Sequence, residues 1–88
     1  GLVRRTYKLK DIREVRFSKG KKFRSMGSWA GRMKICKING KTSRWIEFDG
    51  TVYYKKMVYI TSEEIIDKSI ELLMKEFRSR GIQCNKYR

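Results

Sequence analysis

The sequence has no proline, no histidine and only two cysteines in 88 residues. Without histidine the usual general base near neutral pH is missing, which argues against an enzyme. Cys36 and Cys84 cannot build a disulfide framework, and without histidine they cannot complete a typical zinc site. Two free thiols in a reducing compartment are expected, with no metal and no other cofactor. Acids are scarce as well: nine Asp and Glu stand against 23 Lys and Arg. No apolar run approaches the ~18 residues of a membrane span, and nothing resembles a signal peptide. A first residue of Gly rather than Met fits a domain excised from a longer protein.

What is present is charge, on a chain apolar enough to fold. The net charge is +14, and 40% of the residues are hydrophobic. That fraction supports one small folded domain over residues 1–88 rather than a disordered basic tail. Residues 1–10 alternate weakly (Val3, Tyr7, Leu9) and read either as an edge strand or as a flexible arm. Such an excess of charge implies a polyanionic partner, foremost nucleic acid, with no membrane and no small-molecule substrate. The charge is also segregated. Residues 1–61 carry +13 of it and residues 62–88 only +1.

The nearly neutral part holds the clearest helix. Over Ser62 to Arg80, Ile66, Ile70, Leu73 and Phe77 recur at helical spacing, widened by Ile65 and Leu72, with Ser69 leaving room for close approach. Thr61 followed by Glu64 reads as a capping box, and Gly81 as a C-terminal stop. Glu64–Lys68, Glu71–Lys75 and Glu76–Arg80 are spaced for ion pairs along it. Such a helix covers an apolar surface, and what precedes it reads as strand and turn.

Among those strands, Ile12, Val15 and Phe17 mark a short one. Then RMKICKI and KTSRWIEF flank Asn39-Gly40, the sequence of a two-residue hairpin turn with positive φ at both positions. That turn pairs Lys34 with Trp45, Arg32 with Glu47, Met33 with Ile46 and Gly31 with Phe48. Alternation sends Met33, Ile35, Ile46 and Phe48 to the helix. Arg32, Lys34, Ser43 and Trp45 go to solvent or a ligand. Trp29 is assigned to neither face. Asp49-Gly50 is a second turn signal, and TVYYKKMVYI after it reads as a further strand. A two-residue turn there sets Tyr54 and Lys56 beside Trp45 on the outer face. It also turns Val58 and Ile60 outward, which only a bulge, a longer loop or departure from the sheet resolves. Residues 82–88 are a short tail or an added edge strand.

The residues that could carry chemistry point to binding. Glu47 and Asp49 are the two acids close together on the basic part, and they read as a cross-strand partner of Arg32 and a turn residue. No glycine-rich stretch joins a strand to the helix start. Ser18 to Ser28, SKGKKFRSMGS, reads as a loop whose Lys19, Lys21, Lys22 and Arg24 either contact phosphate, signal nuclear import or are merely solvated. Lys41 at the hairpin and Arg44 beside Trp45 add charge near the outer face. A sheet with such groups can lie in the major groove, or its aromatics can stack single-stranded bases.

GSWAGRMKICKINGKTSRWIEFDG, followed by a helix opened by TSEE, resembles AP2/ERF and integrase-type DNA-binding domains. The resemblance implies three antiparallel strands backed by a helix, with Arg32, Lys34, Arg44 and Trp45 contacting duplex DNA. KKMVYITSEEIIDKSIELL and WAGRMKICKI are similar to parts of PC4-like, Whirly-type domains, which implies binding of single-stranded nucleic acid on a curved sheet. The expected fold is α+β, an antiparallel sheet of three to five strands with the C-terminal helix packed on one face. The expected core is Phe17, Met33, Ile35, Ile46, Phe48, Ile66, Ile70, Leu73 and Phe77. The expected function is binding of double-stranded DNA in a transcription regulator or integrase-like protein. Single-stranded DNA or RNA binding is one alternative, a structural role in a ribonucleoprotein such as a ribosomal subunit the other. The expected location is intracellular, in the nucleus or in the cytoplasm and nucleoid.

Overall fold

Val15 and Phe17 alternate with charged neighbours, and the strand they seed runs well past the expected short run. The computed structural model describes residues 8–21, 27–58 and 60–87. A 3-10 turn (Leu9–Asp11) leads into β1 (Ile12–Lys21) and β2 (Trp29–Lys37). Next come β3 (Ile46–Phe48), a single helical turn α1 (Thr51–Tyr54), α2 (Glu63–Arg78) and β4 (Gln83–Lys86). Most of the expected N-terminal arm or edge strand, residues 1–7, lies outside the described residues.

The α+β class holds, with four strands in the order β3-β2-β1-β4 and α2 on one face. The sheet is mixed rather than antiparallel, because β4 pairs parallel to β1. The reason is topological. Two antiparallel steps leave β3 pointing the same way as β1. A helix that crosses back over the sheet then delivers a strand parallel to both. Gly81, at φ +78°, reverses the chain for it, with Ile82 N–H donating to the Phe77 carbonyl and Gly81 N–H to that of Arg78. These are the two bonds of a Schellman stop.

Apolar side chains on the inner face explain why the layers adhere. Val15, Phe17, Ile35, Ile66, Ile70, Met74, Ile82 and Cys84 are buried together, and Trp29, Met33, Ile46, Phe48, Leu73 and Phe77 pack against them. Each fully buried side chain of this size contributes about 1.5–3 kcal/mol. Met74 continues the Ile66–Ile70 stripe by one more turn. Ser69 is fully buried, its hydroxyl donating to the Ile65 carbonyl, which lets the helix lie close.

Gly31 is required by packing rather than by a turn. A methyl group there would sit 2.3 Å from the Phe48 ring. Gly31→Ala is therefore expected to push Phe48 off the sheet and cost about 1–3 kcal/mol, measured by urea unfolding.

The hairpin departs from expectation at its tip. Of Asn39 and Gly40 only Gly40 has positive φ, at +88°. Gly40 N–H donates to the Lys37 carbonyl and Lys37 N–H to that of Lys41, so the loop has three residues. A longer turn shifts the register by one, and Cys36 accordingly bridges Thr42. Further down, Met33 pairs with Ile46, Arg32 with Glu47 and Gly31 with Phe48, as predicted. One extra residue around Arg44 and Trp45 restores the register, a bulge that the two-residue turn left out. Ser43 seals it: its hydroxyl accepts from Ile35 N–H and donates to the Arg44 carbonyl.

The stretch Thr51 to Ile60 does not form the predicted strand. Asp49 Oδ1 accepts from Thr51 N–H at 2.8 Å, and the chain coils into α1 until Lys55 stops it at φ +61°. Thr61 does not cap α2 either. Its hydroxyl accepts from Gly50 N–H, its N–H donates to Ser28 Oγ, and its carbonyl accepts from Trp29 N–H. Ser62 is the cap, accepting from Ile65 N–H. Thr61 thus ties the start of α2 to β2 and to the end of β3. These long-range bonds override the strand propensity of the segment.

Candidate nucleic-acid interface

The face of the sheet away from α2 holds the side chains that alternate with the core. They are Glu14, Arg16 and Ser18 on β1, Ala30, Arg32, Lys34 and Cys36 on β2, Glu47 on β3, and Gln83, Asn85 and Tyr87 along β4. Arg16 and Lys34 are direct cross-strand partners. Lys34 Nζ lies 4.9 Å from the centre of the Trp45 ring, and the Arg16 guanidinium 5.3 Å from that of Tyr87. One row across the sheet therefore reads Trp45, Lys34, Arg16, Tyr87. The bulge is what turns Trp45 beside Lys34. The rings remain 43% and 44% exposed.

Compared with protein-family models, with curated proteins and with solved structures, the chain matches none. Its chemistry has to be read from its own side chains.

Of the residues singled out by sequence, Arg32, Lys34 and Trp45 come together on the outer face. Lys41 and Arg44 are exposed in the hairpin beyond them. Lys22 and Arg24 lie outside the described residues. Three other expectations are corrected. Tyr54 and Lys56 are not on the outer face, because no strand carries them there; Tyr54 stands edge-on to Tyr53, 5.3 Å away. Tyr53 in turn lies under Lys68 of α2. Lys19 belongs to β1, not to a loop, and points to the helix. Its ammonium sits 2.6 Å from Asp67 and 3.4 Å from Glu63, and the Asp67 hydrogen bond foremost raises its pKa. Lys21 ends the same strand, 6.0 Å from the Trp29 ring. Trp29 itself packs against the core. The predicted Glu71–Lys75 pair is replaced by Glu71 with Lys86 of β4, at 2.8 Å.

Sequence reasoning missed Arg16, Asn85 and Tyr87. The signal for Arg16 was its place between Val15 and Phe17. For Tyr87 it was the alternation Ile82, Cys84 in the tail, which needed a partner strand to become meaningful.

The outer face is less one-sided in charge than the sequence suggests, because Glu14 lies within it. Its carboxylate accepts from Arg16 Nε at 3.0 Å and from the Asn85 side-chain amide, so it fastens β4 to β1. The Arg16 hydrogen bond, opposed by partial burial and aided by Asn85, holds its pKa below the usual carboxylate value. The unfolded chain titrates near ~4.3. The stabilisation is then complete above that value and is lost as pH falls through the lower folded pKa. Amide protection in β4 is expected to weaken selectively in that acid range. In Glu14→Gln that pH dependence should vanish, which hydrogen exchange at several pH values would measure.

Among the described residues no helix is long and apolar enough to cross a membrane. Nor do they include a group of three or more His, Cys, Asp or Glu that could hold a metal ion. Both cysteines are free and buried, and burial raises the Cys84 thiol pKa.

Proposed function

We propose that this domain binds nucleic acid on the outer face of its sheet, inside the cell. The observation that carries the reading is the grouping of Arg32, Lys34 and Arg16 with two half-exposed aromatic rings on one face of a chain of charge +14. Cations neutralise phosphates and release counterions, while rings offer stacking surface, and nucleic acid needs both.

The fourth strand bears on which nucleic acid is bound. Strands are ~4.8 Å apart, so the outer two are about 14 Å apart before their own width is added. A major groove of ~12 Å admits a helix or a two-stranded ribbon, not this whole face. Single-stranded DNA or RNA laid across the sheet is therefore the reading favoured here. Duplex DNA keeps a second place on one observation. The hairpin around Lys41 and Arg44 is only two strands wide and could enter a groove by itself.

Competition among duplex DNA, single-stranded DNA and folded RNA at one stated salt concentration tests the proposal. Single strands should compete best. Duplex should win if the hairpin is the reader, and folded RNA if the role is structural within a ribonucleoprotein. No competition by any of them would end the nucleic-acid reading.

A further inference from the structure

The geometry points to a single-stranded track with two base-stacking stations, Trp45 at one edge of the sheet and Tyr87 at the other. This rests on the nucleic-acid reading above and specifies how the ligand lies. Each ring has a cation beside it, so each pair is one nucleotide-sized unit: the ring takes a base and the cation an adjacent phosphate. Lys34 serves Trp45 and Arg16 serves Tyr87. Glu14 engages Arg16 through Nε, and the guanidinium has four more N–H donors on its terminal nitrogens.

Cation–aromatic pairs of significant strength occur about once per 70–80 residues. Two of them on one face, with their cations as cross-strand neighbours, form a continuous row rather than scattered surface contacts. The row is the reason to invoke a ligand strand. In a duplex the bases are stacked on one another and cannot reach a flat protein ring, whereas unstacked bases can. The two rings are separated by three strand spacings, roughly 15 Å. That span takes about four nucleotides at the ~3.4 Å stacked rise and fewer when the strand is drawn out. Between the stations the strand passes over Lys34 and Arg16, and Asn85 offers a polar side chain beside them.

The test uses oligothymidylates and oligouridylates of two, four and eight nucleotides, with a duplex of eight base pairs as comparison. In a Trp29→Phe background Trp45 is the one remaining tryptophan, so its fluorescence reports stacking directly. Affinity should rise steeply between two and four nucleotides and then flatten, with quenching of Trp45. Trp45→Ala and Tyr87→Ala should each weaken eight-nucleotide binding about five- to hundredfold, the range of one lost stack. Trp45→Phe and Tyr87→Phe should retain most of it. Both positions are exposed, so melting temperatures of the variants should stay near that of the parent. Preference for either sugar is compatible with the track provided both rings are needed. Binding of single strands that neither alanine variant weakens by more than twofold, with Trp45 unquenched, would overturn the track and leave nucleic-acid binding intact. Failure of every oligonucleotide, duplex included, would remove both.

Discussion

Phe17→Ala is expected to cost about 3–5 kcal/mol of stability, enough to bring the domain near unfolding. Phe17 is fully buried on β1, an inner strand flanked by β2 and β4, with Met33 and Lys86 as its neighbours across the ladders. Its ring lies 6.4 Å from that of Phe77 and within the cluster that includes Ile66 and Ile70. Truncation would open a cavity at the junction of both layers, where neither can collapse inward without breaking the sheet. Trp45→Ala removes a larger side chain, yet is expected to cost less than ~1 kcal/mol, because the ring packs on Lys34 at the surface. Urea unfolding followed by circular dichroism would compare the two. Similar losses would mean that Trp45 belongs to the core and that the division into two faces is wrong.

That division was legible in the sequence because it rests on period-two alternation around residues of clear character. Met33 and Ile46 could face only the helix, and Arg32 could face only away from it, so the register near Gly31 and Phe48 followed. It followed partly by compensation, since the longer turn and the bulge at Arg44 and Trp45 cancel. The helix was legible for the same reason, its stripe being strong and its stop a glycine. What could not be read were contacts made across long sequence separations. Thr61 has the chemistry of a helix cap, and only its proximity to Gly50 and Ser28 redirects it. TVYYKKMVYI has the propensity of a strand, and only the bonds at Asp49 and Thr61 deny it a partner. Lys19 looked like loop charge because Asp67 and Glu63 lie more than forty residues away. The candidate site was half legible. Arg32, Lys34 and Trp45 sit on one hairpin, whereas Arg16 and Tyr87 join them only once β4 pairs parallel with β1.

Substituting Arg32 and Lys34 by alanine is expected to weaken nucleic-acid binding more than reversing two charges on α2, although it removes half as much charge. Direct contacts of such cations are worth about 1–3 kcal/mol each where they reach a base edge. Lys68→Glu with Lys75→Glu is the comparison. Both lysines are exposed on α2, on the far side of a domain whose shortest extent is 25 Å. Exposed charges at that distance act through several screening lengths of ~8 Å at physiological salt, so their reversal should scarcely move the affinity. Lowering the salt should narrow the difference, because the screening length grows to ~30 Å at 0.01 M and net charge then counts wherever it sits. Measured at both salts with folding verified, the two variants distinguish contact from bulk charge. If the helix variant bound more weakly at physiological salt, α2 would be the surface that meets the ligand. The sheet would then be its scaffold.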